Sequence, residues 1–138
     1  MQDCIFCKIV QGHIPAKVIG QNEKALAFLD AFPLAAGHAL VVPKVHYAKL
    51  QDMGKEDSAA VFALAHEIVQ SVESAAGAGA SLIGVHNGKE AGQEVPHVHV
   101  HIIPRKPGDG AGPVHSMFRK PKKKMTPEEM DAILSKMV

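Results

Sequence analysis

Three histidines alternate with apolar residues in His97-Val98-His99-Val100-His101-Ile102-Ile103. In an extended strand successive side chains point to opposite faces. The alternation therefore predicts His97, His99 and His101 on one face and Val98, Val100 and Ile102 on the other. Neighbouring imidazoles would stand about 6.5 to 7 Å apart, from a rise near 3.3 Å per residue. The valine face reads as core. The histidine face holds no Lys, Glu or Thr, which an ordinary solvated face would carry, and each imidazole buried without a partner costs about 1 to 3 kcal/mol. Two chemistries fit such a row. A catalytic zinc takes three protein nitrogens and a water, although no acidic residue lies between His97 and Arg105 to assist it. Alternatively one imidazole is a nucleophile: a proton fixed on one ring nitrogen leaves the other nitrogen's lone pair free to attack an electrophile.

The loop ahead of the row, His86-Asn87-Gly88-Lys89-Glu90-Ala91-Gly92-Gln93-Glu94-Val95, favours the nucleophile. Glycines let backbone N–H groups approach and cradle a phosphate oxygen. Alone, such a loop is also an ordinary strand connection; beside three histidines it suggests an anionic substrate. At the other end of the chain, Cys4 and Cys7 are three residues apart. They fit a redox pair poorly, because no strand-helix-strand unit surrounds them. They fit two small buried apolar residues, or half of a tetrahedral zinc site completed by two histidines.

The elements that must position these groups can be read from periodicity. Residues 3–12 predict a short helix with Ile5, Phe6, Ile9 and Val10 on one side and Gly12 as its stop. Strands are expected at 17–20 and 25–30, as a hairpin around Gln21 to Lys24, and at 38–43. Val61, Leu64, Ala65, Ile68, Val69 and Val72 recur at helical spacing within a long helix over 55–76. Strands follow at 81–86 and 98–103, the second ended by Pro104. A long helix on a meander of strands is an α+β layer architecture. From residue 106 the chain turns Gly- and Pro-rich, so the domain is drawn at 1–105 and the remainder, 106–138, is an arm. Thr126-Pro127-Glu128-Glu129 predicts a capping box, and Met130, Ile133, Leu134 and Met137 give the helix after it an apolar stripe to bury on the body or on another subunit.

Composition narrows the classes. The 138 residues carry a net charge of +1, 46% hydrophobic and 21% charged residues, so the chain is one ordinary globule with no general basis for nucleic-acid binding. Nothing is long and apolar enough to span a bilayer. The first residues, from Met1, lack a basic region followed by an apolar one, so the expected setting is the cytoplasm. Arg119-Lys120-Pro121-Lys122-Lys123-Lys124 is the one strongly basic run and reads as a solvated or body-hugging segment.

The pattern His-φ-His-φ-His-φ-φ, with φ apolar, resembles the signature of the histidine-triad family and is complete from His97 to Ile103. Further blocks are similar to that family: Cys4-Ile5-Phe6-Cys7-Lys8-Ile9-Val10, Ala27-Phe28-Leu29-Asp30, Gly37 to Lys44 with His46, and Ala91-Gly92-Gln93. Its nucleotide-binding branch and their bacterial relatives are the nearest in pattern. The resemblance implies an antiparallel five-stranded sheet in each subunit, with the sheets of a homodimer joined into one. It implies an AMP-type purine nucleotide as ligand and hydrolysis at the α-phosphorus. His99 would be the nucleophile that forms a nucleotidyl-histidine, His101 would touch the phosphate, and His97 and His38 would complete the set. Ile5, Ile9, Phe28 and Asp30 would line base and ribose; His86, Asn87, Gly92, Gln93, Glu94 and Val95 would surround the phosphate. Resemblance to some bacterial members also implies a structural zinc on Cys4, Cys7, His46 and His97.

Two positions depart from the family pattern. His86 stands where an amide side chain is expected, and Glu94 where a small hydroxyl residue touches phosphate. The implied activity is that of a purine-nucleotide phosphoramidase. The alternatives are a dinucleoside polyphosphate hydrolase, and a zinc-stabilised nucleotide-binding or adaptor module with little turnover.

Overall fold

A computed structural model describes residues 3–137; Met1 and Gln2, part of the leaderless N-terminus expected above, and Val138 lie outside them. The chain divides into two compact units, Met1–Pro107 and Gly108–Val138.

The first unit is built on a five-stranded antiparallel sheet of β1 (Val18–Gln21), β2 (Ala25–Leu29), β3 (Ala39–Pro43), β4 (Ala80–Gly84) and β5 (Val100–Arg105), in the order β1-β2-β3-β5-β4. Asn22 closes the first hairpin, its Oδ1 accepting from the N–H groups of Lys24 and Ala25 at 3.0 and 2.8 Å. This is the side-chain-to-backbone bond that makes Asn a turn residue. The long helix α2 (Lys55–Ala75) covers one face. Its Val61, Leu64, Ala65, Ile68 and Val72 pack on Ala25, Ala27, Ala39, Val41, Val100 and Ile102. Small residues on the strands let the larger helix side chains come close: a Cβ on Gly20 would meet Ile68 and Leu64 at 3.7 Å. Leu64 is fully buried there, and truncating it to alanine would cost about 2 to 5 kcal/mol.

The opposite face is covered by the short helix α1 (Ile5–Val10), whose Phe6 and Cys7, with Cys4, pack on Leu26, Phe28, Leu40 and Val42. Strands β2 and β3 are therefore buried on both faces. Leu40 pairs with His101, so His101 shares the α1 face, while Val100 and Ile102 enter the α2 core as the alternation predicts.

The last strand departs from expectation at both ends. It begins at Val100 rather than Val98, because the chain before it bonds elsewhere: the His97 N–H donates to the Val95 carbonyl and the Val98 N–H to the Tyr47 carbonyl, each at 2.8 Å. It also runs through Pro104 to Arg105. Pairing with β3 reaches only Ile102, so Pro104 lies where the strand has β4 alone as neighbour, pairing with Ser81. A proline without an N–H is tolerated where the strand is an edge. In the second unit, α3 (Pro127–Ser135) has the expected capping box, with Thr126 Oγ1 accepting from Glu129 N–H at 3.1 Å and Glu129 Oε1 from Thr126 N–H at 3.0 Å. None of the α3 side chains is buried.

Candidate active site and metal cage

Where β5 begins, five imidazoles and two thiols meet in two clusters. In the first, His97 is fully buried. Its Nε2 lies 2.9 Å from the Pro43 carbonyl, which can only accept, so Nε2 carries the proton and Nδ1 the lone pair. That lone pair faces Cys4 Sγ at 3.4 Å and Cys7 Sγ at 3.5 Å, and His46 Nδ1 lies 3.4 Å from Cys7 Sγ. Both thiols are free and buried, and the donor atoms of Cys4, Cys7, His46 and His97 all lie within 4.8 Å of one another. A tetrahedral zinc, with sulfur near 2.3 Å and nitrogen near 2.0 Å, places its ligands roughly 3.5 Å apart. The observed nitrogen–sulfur distances have that spacing. Burial, with Cys4 beside it, raises the Cys7 pKa; a bound cation would reverse that by stabilising the thiolate. Local structure brings the sulfurs together: Cys4 is the N-cap of α1, and its Sγ accepts from the Cys7 N–H.

The second cluster is a directed chain. The Leu34 N–H donates to His38 Nδ1 at 3.1 Å, so His38 must carry its proton on Nε2. That Nε2–H donates to His101 Nδ1 at 2.9 Å. His101 therefore carries its own proton on Nε2, and among the described residues this atom is buried with no partner. A buried donor without an acceptor costs free energy, unless a ligand supplies an acceptor. Beside it, His99 Nδ1 donates to the His97 carbonyl at 2.8 Å, which leaves its Nε2 with the lone pair. The His99 and His101 ring centroids are 4.8 Å apart and tilted at 60° to each other, closer than strand spacing gives, His99 lying ahead of the first residue of β5. Burial holds the rings of His38, His97, His99 and His101 neutral. It is the main cause for His97 and His101, both lowered to about 4, and it also lowers His99 and His38, against the opposing His97 carbonyl bond and the Asp30 charge respectively.

His38, His99 and His101 open on a cleft of about 890 Å³. Ile5, Ile9 and Phe28 are among its apolar lining, and Asp30, His86, Gly92, Glu94 and Val95 line it as well. Asp30 Oδ1 also accepts from the Phe32 N–H at 2.9 Å, so the carboxylate ties its own turn. Two residues of the expected set stand elsewhere. The Asn87 carboxamide accepts from the Leu50 N–H and donates to Gln51, and Gln93 braces the loop by accepting from Gly88 N–H and donating to the carbonyls of Ala48 and Val95. His97 belongs to the thiol cage rather than to the cleft wall. Phe6 is a site residue that the sequence reading takes only as apolar helix. Its ring sits edge-on at 5.1 Å from His99 and 5.9 Å from His97, joining the two clusters.

Fold and site together define an α+β protein with a histidine-lined cleft next to a thiol–imidazole cage. The HIT domain model matches residues 11–108, and the chain belongs to the histidine-triad (HIT) family. It is 46% identical over 107 residues to an uncharacterised HIT-like protein of Methanocaldococcus jannaschii, covering 78% of this chain and 82% of that protein. It is 44% identical over 102 residues to an adenosine 5′-monophosphoramidase of Schizosaccharomyces pombe, covering 74% of each. A zinc-bound histidine-triad family protein of Mycobacterium smegmatis superposes with a TM-score of 0.75 at 33% identity, over 99% of this chain and 96% of that one. Among the described residues no helix is long and apolar enough to cross a membrane.

Proposed function

We propose that the protein is a hydrolase that splits purine-nucleotide phosphoramidates at the α-phosphorus through a nucleotidyl-histidine on His99. One observation carries this reading: the Nδ1–H of His99 is committed to a carbonyl, which leaves Nε2 as a neutral nucleophile in the cleft. The unpartnered His101 Nε2–H beside it suits a phosphoryl oxygen. The base lies against Ile5, Ile9 and Phe28, Asp30 accepts from the ribose hydroxyls, and the turn at Gly92 with Val95 closes over the phosphate. His99 attacks, the leaving group departs, and water resolves the adduct, so one difficult displacement becomes two easier ones. The phosphoramidase named among the relatives supports the same reaction class.

The cage of Cys4, Cys7, His46 and His97 holds a structural zinc. When bound, the ion fastens α1 to the start of β5 and supplies no step of the reaction, since all four ligand places are filled by protein. Two buried free thiols suit a reducing, cytoplasmic setting. The functional unit is a homodimer that extends the sheet past the edge strand β4, whose Leu82 and Ile83 are exposed.

The test is AMP release from an adenosine phosphoramidate, with intact-protein mass spectrometry for the adduct. Release by the wild type and a trapped adduct that His99→Ala lacks are expected. Full activity in His99→Ala would overturn the mechanism.

A further inference from the structure

One imidazole at the cleft is used by neither cluster. His86 follows β4, and its ring lies 5.1 Å from that of His101, tilted by 54°. On its other side the loop turns at Gly92, where a Cβ would meet the His86 Cγ and Nδ1 at 3.9 Å and a φ of +100° favours glycine. The ring is thus held between His101 and a backbone turn, and it lines the cleft with His99 and Glu94. The charged and titratable groups that line the cleft with it are His99 and His101 from the β5 segment, Glu94 from the loop, Asp30 after β2, His38 bonded to His101, and Lys17 before β1. An amide at this place could only donate or accept a hydrogen bond. An imidazole can also give up a proton and take one back near neutrality.

The other rings are already committed. His99 Nδ1 and His38 Nε2 have fixed acceptors, His97 faces the thiols, and His101 has Nδ1 occupied by His38 and its Nε2–H assigned above to a phosphoryl oxygen. Yet a nitrogen or alkoxide leaving group needs a proton as it departs. Resting on the hydrolase reading above, we propose that His86 is the general acid and base of this cleft, selecting for leaving groups that must be protonated. As His99 Nε2 forms its bond to phosphorus, the bond from phosphorus to the leaving atom breaks. That atom keeps the electron pair and takes a proton from the His86 imidazolium. In the second step water attacks phosphorus, the N–P pair returns to His99, and the water proton passes to neutral His86. The net change is water plus substrate giving the nucleotide and the protonated leaving group.

The experiment measures single-turnover adduct formation across pH with two substrates: an alkylamine phosphoramidate of AMP, and the p-nitrophenyl ester of AMP, whose leaving group departs without a proton. His86→Asn should slow the phosphoramidate roughly a hundredfold, remove the fall in rate at alkaline pH, and change the ester less than about threefold. His86→Gln repeats the comparison should the first variant fold poorly. Equal losses on both substrates, or an unaltered pH profile, would overturn the role of His86 while leaving His99 as nucleophile. A wild type that forms no adduct from either substrate would overturn the hydrolase reading, and this proposal with it.

Discussion

His97 and His101 are drawn from the same repeat, four residues apart, and their surroundings are opposite. Around His97 each ring nitrogen has a partner: a carbonyl on one side and two thiols on the other. Around His101 one nitrogen is satisfied by a neighbour and the other is buried with none. Both rings are neutral, and both have a pKa lowered to about 4 mainly by burial. The difference is therefore one of hydrogen-bond completion. A completed set suits structure. An incomplete, pre-oriented donor suits a ligand that brings its own acceptor.

The sharpest break of this contrast comes from His99→Ala. It should lower phosphoramidate turnover at least about a thousandfold, as loss of a covalent nucleophile does, with metal content and melting temperature near wild type. Cys7→Ala should do the reverse: zinc per chain, measured by elemental analysis, falls from one towards zero, and the melting temperature drops by about 10 °C or more. Turnover per folded molecule should stay within a few-fold of wild type. Equal losses of zinc and of turnover per folded molecule would merge the two clusters into one.

A smaller effect is expected at His38→Ala, which leaves His101 Nδ1 without its donor and frees the ring to hold its proton on either nitrogen. Loss of one oriented hydrogen bond to a charged group corresponds to about 1.5 to 3 kcal/mol, or ten- to a hundredfold in kcat. The zinc content should not change. The mildest expectation concerns acid. A folded-state pKa near 4 for His101, against about 6.5 unfolded, means that the unfolded chain binds more protons between those values. Stability contributed by keeping this ring neutral is intact above pH 6.5 and is lost as pH falls towards 4. Denaturant titrations at pH 8 and 5.5 should differ by roughly 1 kcal/mol from this ring alone. A His101→Asn variant should lose that share of the difference.

Much of this was legible because the informative residues are local. The apolar spacing of α2, the Thr126–Glu129 cap and the alternation of Val100 and Ile102 are set within a few residues of sequence, and the fold follows them. The parts that were not legible depend on distant partners. Gln93 and Asn87 look like phosphate ligands until Ala48, Leu50 and Gln51 claim their carboxamides. The strand ends moved for the same reason, since the Tyr47 carbonyl takes the Val98 N–H and β3 stops short of Pro104. Phe6 carried little signal, since neighbours one and two apart on a helix do not face each other, and its contacts with His97 and His99 come from the tertiary fold.

The bond from Leu34 to His38 has a consequence for what selection can see. Titratable chains can usually be read in either direction, since each ring can swap its proton between nitrogens. A peptide N–H cannot accept, so the link at Leu34 works as a one-way valve and orients both imidazoles beyond it. The Leu34 side chain is 77% exposed. Almost any residue can stand there without disturbing the valve, because every residue but one brings the same N–H. Proline is the exception, and a position that tolerates everything except proline is the mark this device would leave on the sequence.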